Sequence, residues 1–294
     1  MGSSTHSSRP GFLFHTKHLQ VRESALVAGV QQAIYHHFMR VGVYVDGYNL
    51  YYGMRREFGR GTPGWRWLNV RALVETSLQD QVEFAEQRGW NEQADTWRDA
   101  HIERIVYCTA RIDGASNPGG QRDQDIYLKA LVSSQAVDRI EYGNYVSRVK
   151  QAPLAVPGDS RRRPEIVTSA WPVMIQDSAG TPVPDAKFIV SYQHDEEKGS
   201  DVNVASHMLI DALTSVVDAV VVVSNDSDLK LPVHHVRGLM PVGLLYPSEK
   251  VAGALALPPT DRSGQSWARK VRRESVEQSQ LPSTIGNLSK PCGW

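Results

Sequence analysis

Val43-Tyr44-Val45-Asp46-Gly47-Tyr48-Asn49 reads as a buried strand that runs directly into a carboxylate and a glycine turn. Val41, Val43 and Val45 alternate with Gly42 and Tyr44, a pattern compatible with burial on both faces. The same signature returns far along the chain in Val220-Val221-Val222-Val223-Ser224-Asn225-Asp226-Ser227-Asp228. In an open parallel sheet, ligands bind outside the carboxyl ends of the strands. Two such loops, with Asp201 as a further acid, would offer a cation hard oxygen ligands. That arrangement suits metal-assisted phosphodiester hydrolysis.

Outward from these loops, strands and helices alternate. Strands are expected at Arg40 to Asp46, Ile102 to Ala110, Arg139 to Val149, Asp218 to Val223 and Pro241 to Tyr246. Helices are expected at Asn49 to Phe58, Leu68 to Arg88, Arg122 to Ala136, Asp201 to Val216 and Leu229 to Arg237. The helix from Asp201 has the clearest pattern, with Ala205, Met208, Leu209, Ala212, Leu213 and Val216 at helical spacing. This rhythm predicts an α/β protein with a three-layer α/β/α parallel sheet. Pro153 to Pro184 is rich in proline and glycine and reads as an inserted β-excursion, with Lys187 to Gln193 returning to the body.

Residues 1–38 read as a disordered or non-native leader, rich in Ser and His over Met1 to Arg9, with a short helix expected over Glu23 to Phe38 and Met39 as a natural start. The body is placed at 39–257, with its insertion at about 153–184. Residues 258–294 read as a tail, basic from Arg262 to Arg273 and then rich in Pro, Ser and Gly, that packs loosely or extends.

The chain has 294 residues, 41% apolar and 22% charged, enough to bury a substantial core. Lys plus Arg and Asp plus Glu both total 32, so net charge does not announce a nucleic-acid binder. Any such surface must be local, with Arg161-Arg162-Arg163 and Lys270 to Arg273 as candidates. The two cysteines, Cys108 and Cys292, exclude a disulfide framework and a Cys-rich zinc site. No apolar run is long enough to span a membrane, and no secretory signal is visible. The expected setting is cytoplasmic.

Each acid also has a simpler explanation. Asp-Gly after a strand is a common turn. Asp226 or Asp228 suits the cap of the following helix. Ser200 is expected to cap the helix that places Asp201 in its first turn, where the dipole favours a carboxylate. If Ser224 to Asp228 is extended, Asp226 and Asp228 face one point, and a divalent cation would relieve their repulsion. Trp65, Trp67, Trp90 and Trp97 could stack on bases, although such residues more often build cores. No Walker or dinucleotide loop and no nucleophile elbow are present. His234 and His235, adjacent within a helix, point to different faces.

Together, Val43 to Asn49, Glu197-Lys198-Gly199-Ser200-Asp201-Val202-Asn203 and Ser224 to Leu229 resemble the bacterial NYN-domain proteins, a branch of the PIN-like nuclease superfamily. Arg122 to Leu131, Leu281-Pro282 and Lys290 to Trp294 extend the similarity over about residues 40–294. The resemblance implies a PIN-like fold and a divalent-metal ribonuclease pocket. It maps Mg²⁺- or Mn²⁺-binding acids onto Asp46, Asp201, Asp226 and Asp228, with Asn49 beside them. Lys198, Arg122, Gln124 and Ser224 are the matching candidates to hold RNA. The expected activity is an endoribonuclease, with an RNA-binding or regulatory protein of little catalysis as the alternative. A haloacid-type phosphatase is excluded, since Asp46 is followed by Gly47-Tyr48 and not by an Asp-x-Asp pattern. A homodimer is compatible with the helices.

Overall fold

The structure is a computed structural model that describes residues 1–2, 38–156, 164–168, 175–257 and 265–294. Contacts divide the chain into two units, Met1–Met39 and Arg40–Trp294. The elements below belong to the second, apart from the first residue of its opening strand. The expected leader helix, but for Phe38, and Arg161 to Arg163 lie outside the described residues.

In chain order the elements are β1 (Met39–Asp46), α1 (Gly47–Phe58), α2 (Val70–Gln87), α3 (Asn91–Arg98), β2 (Ala100–Ala110), α4 (Pro118–Ser133) and β3 (Arg139–Pro153). A short pair, β4 (Ala155–Val156) and β5 (Glu165–Ile166), precedes β6 (Ile189–Lys198). Then come α5 (Ser200–Leu213), β7 (Ala219–Val223), one 3-10 turn (Ser227–Leu229), α6 (Lys230–Arg237) and β8 (Val242–Tyr246). The chain ends with β9 (Trp267–Lys270), α7 (Arg273–Gln278), β10 (Thr284–Ile285) and β11 (Leu288–Ser289).

Seven strands form one sheet in the order β6-β3-β2-β1-β7-β8-β9, parallel except for the β3–β6 pair. β4–β5 and β10–β11 make two small antiparallel sheets. The expected α/β class and mainly parallel sheet are therefore present. From β1 the chain first builds toward β2 and β3, and later toward β7 and β8. The β1/β7 boundary is thus the topological switch point, where such sheets bind ligands.

Alternation along the strands divides the core. Tyr44, Val106, Cys108, Val220 and Val222 pack on one face with Val204 and Met208 of α5 and Val233 of α6. Val43, Val45 and Ile105, at alternate positions, turn to the other face, where α1 and α2 contact β2. Tyr44 carries a polar tip into its side of the core and donates to Asp211 Oδ2 at 2.7 Å. Arg104 meets the other Asp211 oxygen at 3.1 Å, so the buried carboxylate is satisfied.

Three helices, α4, α5 and α3, depart from expectation for evident local reasons. α4 begins at Pro118 because Asn117 accepts from the Gly120 N–H at 2.9 Å and Pro118 fits the first helical position. α5 is entered through left-handed Gly199, at φ 98°, and the Ser200 hydroxyl donates to Glu197 instead of capping. It closes at Leu213, with Ser215 left-handed at φ 57°. α3 was not expected from its polar sequence, yet it buries Trp97 against Trp267, with ring centres 5.4 Å apart.

Residues 265–294 correct the expectation of a loose tail. β9 adds to the sheet edge beside β8, and Trp267, Val271, Val276 and Leu281 are buried. Leu281 N–H donates to the Trp67 carbonyl at 2.8 Å, and Trp67 Nε1 donates to the Pro282 carbonyl at 2.7 Å. Widely spaced apolar side chains, too sparse for an obvious periodic signal, do this anchoring. No helix among the described residues is long and apolar enough to cross a membrane.

Candidate metal centre

The β1–β7 register brings the two acidic loops together. Val45 pairs with Val223, so Asp46 and Ser224 follow side by side at the carboxyl ends of their strands. Ser224 is fully buried, donates to Asp46 Oδ2 at 2.9 Å and accepts from the Asp226 N–H at 3.1 Å. Asp46 Oδ1 accepts from the Asn49 N–H at 2.9 Å, capping α1. Asn49 Oδ1 accepts from the Asn225 N–H at 2.8 Å, which pins one loop to the other. Asn225 in turn accepts from the Ala252 N–H at 2.7 Å.

Asp201 arrives by a different route. β3 pairs with β2 as far as Gly143, then continues beyond the sheet as a ribbon with β6. β6 returns to the sheet edge, where Lys198 pairs with Asn144, and α5 starts immediately. A Cβ on Gly143 would lie 2.6 Å from the Lys198 carbonyl, so this close approach needs glycine. Glu197 fixes the helix entrance, accepting from the Ser200 N–H at 3.0 Å and its hydroxyl at 2.6 Å.

One carboxylate oxygen each from Asp46, Asp201 and Asp226 lies within 4.8 Å of the others. Burial, reinforced by the Asp201 and Asp226 charges, pushes the Asp46 carboxyl from an ordinary 3.8 up to about 7, against the lowering effect of its Asn49 and Ser224 partners. Burial, then the charges of Asp226, Glu197 and Asp228, pushes Asp201 up to about 6. Three converging carboxyl groups, with the Asp46 and Asp201 carboxyls pushed upward by burial and by their neighbours' charges, fit a hard divalent cation.

The remaining expected site residues divide differently. Asp228 is exposed and outside the three-acid group, although its charge reaches Asp201. Asp226 Oδ1 accepts from the Asp228 N–H at 2.9 Å and opens the 3-10 turn, so the segment does not stay extended through Asp228. Lys198 is exposed and lies 3.5 Å from Glu196. Arg122 is exposed on α4. Gln124 holds the end of β2, donating to the Ala110 carbonyl at 2.9 Å and accepting from the Ile112 N–H at 2.8 Å. Trp65, Trp67 and Trp97 belong to the core, while Trp90 is half exposed. The basic run at Lys270 to Arg273 is consumed by ion pairs: Lys270 with Glu57 and Glu249 at 3.1 Å, Arg272 with Asp80, and Arg273 with Glu277 at 3.1 Å.

Sequence reading missed two features. Glu197 was noted only within a motif, yet it organises the Asp201 turn. A cleft of about 450 Å³ opens beside Gly47 and is lined by Tyr48, Tyr51, Tyr52, Arg55 and Tyr107 among others. The spacing of Tyr48, Tyr51, Tyr52 and Arg55 was the available signal, because it marks one helical face.

Fold and site thus define an α/β protein with an acidic cluster at the switch point of a mainly parallel sheet. No family model matches the chain. It is distantly homologous to 6-hydroxy-3-succinoylpyridine 3-monooxygenase HspA of Pseudomonas putida, at 27% identity over 268 residues, covering 87% of this chain and 75% of that protein. A crystal structure of a protein of unknown function from Vibrio parahaemolyticus aligns over 81% of this chain and 96% of that one, with TM-score 0.42 and 14% identity.

Proposed function

We propose that this chain is a divalent-metal-dependent endoribonuclease of the NYN/PIN-like type, hydrolysing RNA phosphodiester bonds at its aspartate cluster. The convergence of Asp46, Asp201 and Asp226 within 4.8 Å carries this reading. These three acids would hold the cation, and their all-oxygen set suits Mg²⁺ or Mn²⁺. A bound cation supplies Lewis-acid polarisation of the phosphodiester and an acidified water. Ser224 and the Asn49 N–H keep Asp46 aimed at the cluster. Glu197 holds the first turn of α5 and hence Asp201.

The test incubates purified protein with a mixed RNA pool, with Mn²⁺, Mg²⁺ or chelator, beside Asp226→Asn. Cleavage that needs the cation and disappears in the variant is the expected result. RNA bound equally by both proteins without cleavage would instead assign a regulatory RNA-binding role.

A second reading is favoured by the HspA similarity together with the tyrosine-lined cleft. Its relative is named for an oxygenation of a hydroxypyridine that carries an acidic side chain. An aromatic ring against Tyr48 and Tyr52, with a carboxylate near Arg55, would fill such a cleft. Conversion of 6-hydroxy-3-succinoylpyridine that needs both O₂ and an added two-electron donor such as a reduced nicotinamide, with no RNA cleavage, would establish that reading in place of the first.

A further inference from the structure

The N-terminal end of α1 lies at the acid cluster, its last turn carries Arg55 and Arg56, and Arg60 follows just beyond it. Along the helix, Tyr48, Tyr51, Tyr52 and Arg55 recur at three- and four-residue steps and line the cleft together. Their rings meet at angles: Tyr48 and Tyr52 centres are 5.8 Å apart, and Tyr51 and Tyr52 are 5.3 Å apart, edge to face. Tyr145 extends this wall, 6.3 Å from Tyr48. Tyr51 is 39% and Tyr52 46% exposed, and Tyr51 is backed by the buried Trp65 ring, 5.3 Å away.

Past Tyr52 the cleft meets a second hollow, lined by Tyr52, Arg55, Arg56 and Arg60. None of these arginines makes an ion pair with a described residue, unlike Arg40, Arg71, Arg98, Arg139, Arg272 and Arg273. The Arg55 guanidinium lies 5.8 Å from the Tyr52 ring centre. Gly47 and Arg55 are eight positions apart, which is ~12 Å along a helix. Carboxylates at one end, aromatic faces in the middle and uncompensated guanidiniums at the other make a polar sequence of subsites. Asp113 and Asp123 also line the cleft.

We propose that this face of α1 is a stacking subsite for an unpaired base of single-stranded RNA, with Arg55, Arg56 and Arg60 holding the phosphate on the side away from the aspartates. The proposal rests on the nuclease reading for its direction of travel toward the acid cluster. Aromatic side chains accept any base by its π-face, and a neighbouring cationic groove tracks the backbone. A base within a duplex presents no free face, so the subsite selects single strands. The hollow's continuation past Tyr52 favours a polymer over an enclosed small ligand.

Fluorescence anisotropy of a labelled single-stranded RNA octamer, with chelator so that nothing is cleaved, tests the proposal on the full chain. Tyr52→Ala is expected to weaken binding about 5- to 150-fold, and Tyr52→Trp to restore it. Arg55→Ala is expected to reduce the slope of log affinity against log salt by about 0.7. The matching duplex binds more weakly than the single strand. Unchanged affinity in both Tyr52→Ala and Arg55→Ala, equal binding of duplex, or no binding by the wild type overturns the subsite. So does Tyr52-dependent binding of 6-hydroxy-3-succinoylpyridine without RNA binding. Cleavage in Mn²⁺ separates the two claims. A cleaving wild type whose KM ignores Tyr52→Ala keeps the nuclease and loses the subsite. Tyr52-dependent binding without cleavage keeps the subsite and loses the nuclease.

Discussion

The substitution Asp46→Asn makes the cost of the acid cluster measurable. Asp46 is almost fully buried, and its carboxyl is pushed from 3.8 to about 7, chiefly by burial and then by the neighbouring aspartates. A rise of that size corresponds to roughly 4 kcal/mol against the folded, ionised chain. The sign follows from proton uptake. Below about pH 4 folded and unfolded chains both carry the proton, and the penalty is absent. Between about pH 4 and 7 the unfolded chain ionises first, so the folded state binds more protons and stability falls as pH rises. Above about pH 7 the folded carboxyl ionises too, and the loss levels off.

Asparagine keeps the shape and the acceptor for the Asn49 N–H but removes the charge. With chelator, Asp46→Asn should match the wild type near pH 4 and exceed it at pH 8. At ~2–4 °C per kcal/mol for a domain of this size, the gain is about 8–16 °C in Tm. Mn²⁺ should close the gap: a cation at one hundred times its Kd adds about 2.7 kcal/mol to the chain that binds it, and at one thousand times about 4.1 kcal/mol, which brings the wild type level with the variant. Thermal unfolding across pH, with and without Mn²⁺, reads both effects. Parallel pH profiles for the two proteins, or an equal gain from Mn²⁺, would refute the reasoning.

Two further substitutions probe how the site is held. Gly143→Ala places a Cβ 2.6 Å from the Lys198 carbonyl, so the end of β6 must shift; a loss of about 1–3 kcal/mol in urea unfolding is expected, with a smaller Mn²⁺-induced rise in Tm. Trp267→Ala empties a buried position on the edge strand against Trp97, and should lower stability by about 3–5 kcal/mol in the same titration if the tail is integral to the sheet.

The central strands were legible because burial on both faces imposes an apolar run, and the acid at its end marks where the sheet stops. Val41 to Asp46 and Val220 to Asp226 show both signals, whereas the pairing of β1 with β7 is seen only in the structure. The edge strand was not legible. Trp267-Ala268-Arg269-Lys270 is short and half charged, since an edge strand buries little, and its membership depends on distant contacts such as Trp97. Among the acids, Asp46, Asp201 and Asp226 were found together, whereas Asp228 was included on the assumption of an extended loop. A 3-10 turn changes the direction of the side chain two residues on, and nothing in Ser224 to Asp228 distinguishes the two conformations by composition. The tyrosine face of α1 was visible as spacing, but spacing alone does not say whether a face meets core or solvent.

The long excursion between β3 and β6 has a positional logic. β3 runs parallel to β2 toward the carboxyl edge of the sheet, where the other two acids lie. By continuing into a ribbon and returning antiparallel, the chain arrives back at that same edge, at Lys198 opposite Asn144. Gly199 then turns the backbone left-handed, and α5 starts with Asp201 already beside Asp226. Only the base of the ribbon fixes this delivery: the Asn144–Lys198 pairing, the Gly143 approach and the Glu197 clasp on Ser200. Farther out, from Lys150–Tyr192 to Pro153–Ile189, the described pairings join the two strands of the ribbon to each other. The excursion can therefore differ in length and sequence without moving Asp201, which frees its outer part from the requirements of the site it serves.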